Sequence, residues 1–289
     1  MRFTSNMHRY LRYFFIVWFL IPLYSCNKDK FKAPQAAYLI VDPVALKTTS
    51  SQGTNSQKIT DIWYYVGGQF KGVFPVGKVM PIVASNNTEI TLFAGIKNNG
   101  ISATRVPYPF YKSIILNKDI EPGKTYTVST EFQYNPSVFF YYHDEFDTTT
   151  GGGSYFSSAG DSSYVITYDP SRTFNGTGGS VFMSMGDNKP TARMVQNTAY
   201  YLPADGSTIY LELNYKCNQP FTVGVIGGGF DERTALTVNT SDEWNKIYVQ
   251  LTKVVSTPPA YASYKVFIHA RKEVVSPQIY IDNVKLIYQ

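Results

Sequence analysis

The chain has 289 residues, with 26 Lys or Arg against 21 Asp or Glu, and 16% of its residues are aromatic. Three basic residues, Arg2, Arg9 and Arg12, stand near the N-terminus, and removing them from the net charge of +5 leaves about +2. No dense group of Lys and Arg is interleaved with aromatic residues, which argues against a nucleic-acid partner.

The first 26 residues form the three blocks of an export signal. Basic residues come first, an uncharged apolar run covers residues 13–23, and Leu23-Tyr24-Ser25-Cys26 closes the segment. The apolar run is shorter than the ~20 residues that span a bilayer and fits the ~7–15-residue core of a signal peptide. A signal anchor, or a signal peptide with an incidental cysteine, is the alternative.

The Leu-x-Ser-Cys ending resembles the lipobox of bacterial lipoproteins, and the following Lys28-Asp29 is similar to the start of Bacteroidetes lipoproteins. The resemblance implies cleavage after residue 25, acylation of Cys26, and a lipidated tether over residues 26–34. A lipid anchor in the cell outer membrane is therefore expected. Display on the surface and on the periplasmic face both remain open.

Composition after the signal favours β-structure. The chain holds 24 Tyr and 19 Phe but only 16% charged residues, and short alternating segments are bounded by Gly, Pro, Asn and Asp. The clearest hairpin joins residues 61–66 and 69–74 through Gly67-Gly68, because two glycines supply the positive φ angles of a tight primed turn. The sequence therefore predicts an all-β protein.

The hairpin motif Tyr64-x-Val66-x-Gly68-Gln69-Phe70-x-Gly72 is similar to that of PEGA-type and carboxypeptidase-regulatory-type β-sandwiches. The resemblance implies an Ig-like or transthyretin-like β-sandwich over residues 35–135, with a structural or interaction role and no catalysis. Pro136 disfavours a continuing ladder, so a boundary is predicted there.

A second series of about ten strands and no helix is predicted over residues 138–289, which suggests a jelly roll. Trp244-x-Lys246 and the closing Ile281-Asp282-Asn283-Val284 resemble the last strands of carbohydrate-binding-module jelly rolls. That resemblance implies a structural calcium ion between an early acidic residue and the last strand, with Glu145, Asp147 and Asp282 as its ligands. Solvated or turn-capping acids are the alternative.

Aromatic residues near glycine-rich loops are the candidates for contact with a sugar ring. They are Tyr155, Phe156, Phe174 and Phe230, and simple packing is the alternative for each. Packing in the core or over its edge is also favoured for Trp244, and Trp63 is expected in the core. Cys217 is the single cysteine besides Cys26, and its position at the end of an apolar strand predicts a buried thiol.

Catalysis has little support in the sequence. His143 and His269 are the histidines that follow the signal, no Gly-x-Ser-x-Gly occurs, and no cluster of His or Cys suggests zinc. We therefore expect a non-catalytic envelope lipoprotein that binds a glycan or other extracellular ligand through its jelly roll. An accessory subunit of an outer-membrane protein assembly is the alternative, and a β-sandwich hydrolase or lyase is a third.

Overall fold

The computed structural model of the chain describes residues 35–83, 85–147 and 154–289. The predicted signal peptide, the tether and Cys26 lie outside these ranges. In the first half, two sheets with the strand orders β4-β1-β8 and β3-β2-β5-β6 face each other, and β7 also pairs with β5. Their strands are β1 (Ala36–Lys47), β2 (Asp61–Val66), β3 (Gln69–Pro75), β4 (Val79–Val83), β5 (Ser85–Lys97), β6 (Arg105–Pro107), β7 (Ile114–Ile120) and β8 (Thr125–Gln133).

The predicted hairpin is confirmed. Strands β2 and β3 pair antiparallel, and Gly67 and Gly68 both adopt positive φ angles, 53° and 74°. Alternation along β2 buries Tyr64 completely between the sheets and turns Trp63 to the outer face, where its ring lies 5.6 Å from that of Phe70. Trp63 therefore packs outside the core in which the sequence placed it.

The second half is also a sandwich of two antiparallel sheets, so the predicted fold class, all-β with two β-sandwiches, is confirmed. A five-stranded sheet has the order β10-β13-β18-β15-β16, and a larger sheet has the order β11-β12-β19-β14-β17 with β9 paired to β19. The strands are β9 (Phe139–Asp144), β10 (Phe156–Ser158), β11 (Val165–Thr167), β12 (Ser180–Met183), β13 (Thr191–Gln196), β14 (Ile209–Cys217), β15 (Phe221–Gly227), β16 (Asp231–Val238), β17 (Ser241–Gln250), β18 (Tyr264–Arg271) and β19 (Ile279–Tyr288).

A 3₁₀ turn (Phe174–Gly176) and a short α-helix, α1 (Thr252–Ser256), interrupt the second strand series, where the sequence predicted no helix. Strand β17 ends at Gln250, just before this α-helix. The Thr252 hydroxyl accepts a 2.9 Å hydrogen bond from the backbone of Ile209, and Val255 is fully buried, so tertiary contacts hold this turn against the sandwich. No helix in the described ranges is long and apolar enough to cross a bilayer.

The core between the two C-terminal sheets is continuous and contains Cys217. The Cys217 side chain is buried, as predicted, and burial raises the pKa of its thiol to about 11. Tyr210, Tyr248 and Ile287 point to the other side of the larger sheet and belong to the hydrophobic cluster of the N-terminal strands. The two sandwiches are therefore joined by a buried junction.

Candidate functional site

The outer face of the larger C-terminal sheet has two parts. Alternation along β14 turns Glu212, Asn214 and Lys216 to this face, and Glu212 faces the junction. In a regular strand, Asp282 and Lys285 would point to opposite faces, because their separation of three positions is odd. A β-bulge at Asn283, whose φ is 50°, turns both side chains outward. The junction with the N-terminal sandwich covers the end of the face that holds Lys285, and the end beyond Asp282 carries a cavity and a row of aromatic rings.

The cavity has a volume of about 310 Å³. All three predicted calcium ligands, Glu145, Asp147 and Asp282, line it. Its remaining wall is mostly polar and comes from the loop before β2, the glycine-rich loop before β12, and β19: Thr54, Asn55, Ser56, Phe174, Asn175, Thr177, Gly178, Gly179 and Asn283. The three acidic residues that the resemblance named therefore line the same cavity.

Gly179 shows why the loop before β12 is rich in glycine. A Cβ at this position would lie 2.2 Å from the carbonyl oxygen of Phe146, which is far inside van der Waals contact. Phe146 itself has a φ of 51° and separates Glu145 from Asp147. The close approach of these two backbone segments forms one wall of the cavity.

Two carboxyl groups of the cavity differ in their electrostatic surroundings. The pKa of Asp282 is raised to about 7, mainly by burial and also by the negative charges of Glu145 and Asp144. Hydrogen bonds to Asp282 from the Ser180 hydroxyl at 2.5 Å and from the Asn283 backbone at 2.6 Å act in the opposite direction. The Glu145 pKa is lowered, first by its hydrogen bond with His143.

The oxygen-rich wall has the chemistry that calcium prefers, because Ca²⁺ takes about 6–8 carboxylate, amide, carbonyl and water oxygens. Within the part of the chain that the structure describes, however, no three His, Cys, Asp or Glu side chains stand close enough together to hold a metal ion. Asp144, beside the cavity, already accepts bonds from Ser154 and the backbones of Phe146 and Tyr155. The calcium site therefore stays a prediction.

Four rings form an aromatic row that begins at the cavity: Phe174, Trp244, Tyr280 and Phe182. Phe174 lines the cavity and lies edge-on to Trp244 at 5.5 Å between ring centroids. Trp244 lies 6.4 Å from Tyr280, which stacks on Phe182 at 5.0 Å with an interplanar angle of 19°. The Arg172 guanidinium covers the far end, 5.6 Å from the Phe182 ring centroid.

The four aromatic residues proposed from the sequence do not form one surface. Phe174 belongs to the row, whereas Phe156 is 3% exposed and packs in the core, so it is not available to a ligand. Tyr155 is 39% exposed and stacks on Tyr142 at 4.7 Å. Phe230, 76% exposed, stands on the turn between two strands of the opposite sheet.

Sequence reasoning missed Tyr280 and Phe182, which complete the row. The alternation of side chains along a strand could have identified them. The two residues beside each ring in sequence are apolar and fully buried, so they mark the core face of the strand and place the ring on the opposite face. Asn55 and Ser56 gave no such signal, since the loop that holds them is more than 200 residues away from Asp282 in sequence.

No protein-family model and no curated protein matches the chain. Solved structures similar to part of it include TmCBM61 in complex with β-1,4-galactotriose, at 16% identity over 50% of this chain and 96% of that chain, with a TM-score of 0.35. A family 29 carbohydrate-binding module complexed with mannohexaose matches at 12% identity over 53% of this chain and 90% of that chain, also with a TM-score of 0.35. Similarity at this level assigns neither a ligand nor a binding residue to this chain.

Proposed function

We propose that the chain is a non-catalytic glycan-binding lipoprotein of the bacterial cell envelope. The observation that carries the proposal is the continuity of the aromatic row with the polar cavity through Phe174. A sugar chain offers the matching chemistry, because its rings present apolar C–H faces and its hydroxyl groups donate and accept hydrogen bonds.

The two parts of the site would divide recognition between them. The partly buried faces of Trp244 and Phe182 supply apolar contact at low cost in side-chain entropy, since each ring has two rotatable bonds. The cavity supplies carboxylate and amide groups that fix the orientation of hydroxyls. Its volume of about 310 Å³ lies at the lower end of the range for small-molecule sites, about 300–1,000 Å³.

The cavity acids do not offer a ready catalytic pair. Both oxygens of Asp282 already accept hydrogen bonds, from Ser180 and from the Asn283 backbone, and Glu145 interacts with His143. A glycosidase needs one carboxyl free to protonate the leaving group and a second aimed at the sugar or a water. We therefore propose binding without cleavage, with lipid on Cys26 holding the protein at the outer membrane.

Isothermal titration of the purified protein against a panel of soluble polysaccharides tests the proposal. Trp244→Ala should weaken binding by about 1–2 kcal/mol, roughly 5–30-fold, because it removes the ring that joins Phe174 to the rest of the row. Phe230→Ala is the matched control, since it removes an exposed ring outside the row and should leave affinity unchanged.

The same titrations contain the results that would overturn the proposal. Absence of binding across a broad panel would contradict a glycan role, and equal losses in the two variants would contradict the aromatic row as the contact surface. New reducing ends in a glycan incubated with the protein would show catalysis and refute the non-catalytic part of the proposal.

A further inference from the structure

A second, smaller cavity lies at the junction of the two sandwiches. Its volume is about 90 Å³, and three of its lining residues are lysines: Lys58, Lys97 and Lys246. The other lining residues are Thr60, Gly100, Tyr215, Asn245, Ile247 and Tyr248, so no acidic side chain lines it. We call it the lysine pocket. Because β5 and the segment before β2 supply one side and β14 and β17 the other, both sandwiches contribute to it.

Positive charge exceeds negative charge around this pocket. Lys246 is buried, and its Nζ lies 2.8 Å from Glu212 Oε2. Glu212 also interacts electrostatically with a second buried lysine, Lys285, whose pKa is lowered to about 7, mainly by burial. Glu212 is therefore already paired with Lys246 before Lys58 and Lys97 are counted.

Lys58 and Lys97 add two more positive charges, and neither forms an ion pair with any acidic residue in the described ranges. Lys58 Nζ donates one hydrogen bond to Asn245 Oδ1, which leaves two of its protons for a ligand. Burial lowers the pKa of Lys58, and the charge of Lys97 lowers it further. Like charges held together in this way are unfavourable unless an anion joins them.

We propose that the lysine pocket binds a compact oxyanion: a carboxylate, a sulfate or a phosphate group. The ammonium groups of Lys58 and Lys97 provide charge-assisted hydrogen bonds, which are about twice as strong as neutral ones. Lys246 Nζ is buried against Glu212, so it adds positive charge without direct contact. The volume of about 90 Å³ admits a single oxyanion group and excludes a whole sugar ring, so the anion is a free ion or the pendant group of a larger molecule. An anion in this position contacts both sandwiches and strengthens their junction.

The two sources of the anion lead to different readouts. A free ion binds without any polymer, whereas a pendant carboxylate or sulfate would make acidic glycans preferred over neutral ones. The second case rests on the proposed glycan function, and the first does not. An experiment with inorganic ions and with polysaccharides separates the failure of one proposal from the failure of the other.

Thermal unfolding of the full chain tests the pocket with sodium sulfate and sodium phosphate, each compared with sodium chloride at equal ionic strength. A concentration of about 10 mM keeps the general stabilising effect of these salts small. An anion at a hundred times its Kd should raise Tm by about 5–10 °C in a protein of this size.

The double substitution Lys58→Met and Lys97→Met should abolish the rise in Tm with sulfate or phosphate. In chloride it should leave Tm equal to or above that of the unmodified protein, because it removes like charges from one another's neighbourhood. Lys71→Met is the control, since it removes an exposed lysine on β3 and should retain the full response. An equal response in all three proteins, or no response in the unmodified protein, overturns the inference.

Titration with a polyuronate, a sulfated polysaccharide and a neutral polysaccharide identifies the source. Sulfate-dependent stabilisation without preference for acidic polymers supports a free-ion site. Preference for an acidic polymer that the double substitution removes supports the pendant group. If neutral glycans bind through the aromatic row and no anion changes Tm, the glycan proposal stands and the lysine pocket is not an anion site.

Discussion

Replacement of Glu212 by Gln tests the buried junction that joins the two sandwiches. Glu212 is fully buried, and its Oε1 accepts hydrogen bonds from Tyr108 at 2.7 Å and Tyr134 at 2.9 Å. Its Oε2 lies 2.8 Å from Lys246 Nζ. Burial alone would raise the pKa of Glu212, but Lys246 and Lys285 outweigh burial and the pKa lies below its usual value. The carboxylate is therefore charged at neutral pH.

The Glu212→Gln substitution would keep the shape of the side chain and one acceptor for the two tyrosines, but it would leave Lys246 buried without its counter-charge. Loss of one partner of a buried ion pair costs about 3–5 kcal/mol. Burial, and then the charge of Lys246, lower the pKa of Lys285 to about 7, so Lys285 releases its proton easily. A neutral Lys285 leaves Lys246 as the uncompensated charge, so the loss of stability in Glu212→Gln should be near ~3 kcal/mol, the lower end of this range. With 2–4 °C per kcal/mol, Tm should fall by about 6–12 °C.

Urea unfolding followed by circular dichroism measures the loss of free energy, and a double-mutant cycle isolates its cause. The pair Glu212→Gln and Lys246→Met should be more stable than Glu212→Gln alone, because it no longer buries an uncompensated charge. Glu131→Gln breaks an exposed pair with Lys47 and should leave stability nearly unchanged. A loss below about 1 kcal/mol, or strictly additive effects in the cycle, would refute the reasoning.

The other predictions concern single groups. Asp282→Asn should raise Tm without calcium, because a buried acid whose pKa is raised to about 7 destabilises the folded state at neutral pH. The same change should abolish any rise in Tm that CaCl₂ produces. A calcium response that survives the change would exclude Asp282 as a ligand. The pKa of Lys285 is about 7 in the folded state against ~10.4 in the unfolded state, so the unfolded state binds more protons between these values. The free energy of unfolding should therefore rise from pH 7 to about pH 9.5. Lys285→Met should flatten this rise when it is measured by urea unfolding at each pH, and an unchanged rise would show that other groups cause it. Cys217 should react with a thiol reagent no faster than the protein unfolds, because it is buried, and rapid labelling of the native protein would contradict this. Cys26→Ser should move the protein from the membrane to the soluble fraction, and a mass for Cys26 without lipid would refute the anchor.

The sequence contained most of the local structure. The β2–β3 hairpin was predictable because Gly67 and Gly68 meet a strict requirement of backbone geometry. Alternation with a period of two separated the buried residues of most strands from those facing outward. Helix α1 was not predictable, because the burial of Val255 and the bond between Ile209 and Thr252 are tertiary contacts that override the local pattern.

The site was predictable only in part, and the reason is separation along the chain. The resemblance pointed to Glu145, Asp147 and Asp282, which do line one cavity. The sequence does not show which part of a sheet face is covered by a neighbouring sandwich. The charged residues buried at the junction could therefore not be distinguished from charged residues at the surface. Lys285 is typical, since a lysine in a strand is usually solvated, and here it is fully buried with its ammonium bonded to the Thr54 carbonyl.

Strand β1 begins with Ala36, next to the segment that is proposed to carry the anchor, and it lies in the middle of its sheet between β4 and β8. Its hydrogen bonds to both neighbours run across the strand. Tension applied along β1 from the N-terminus therefore shears many of these bonds together instead of opening them one by one. If the proposed lipid anchor holds the protein by its first residues while a bound polymer pulls on it, β1 bears the load, and its central position in the sheet suits it for mechanical resistance.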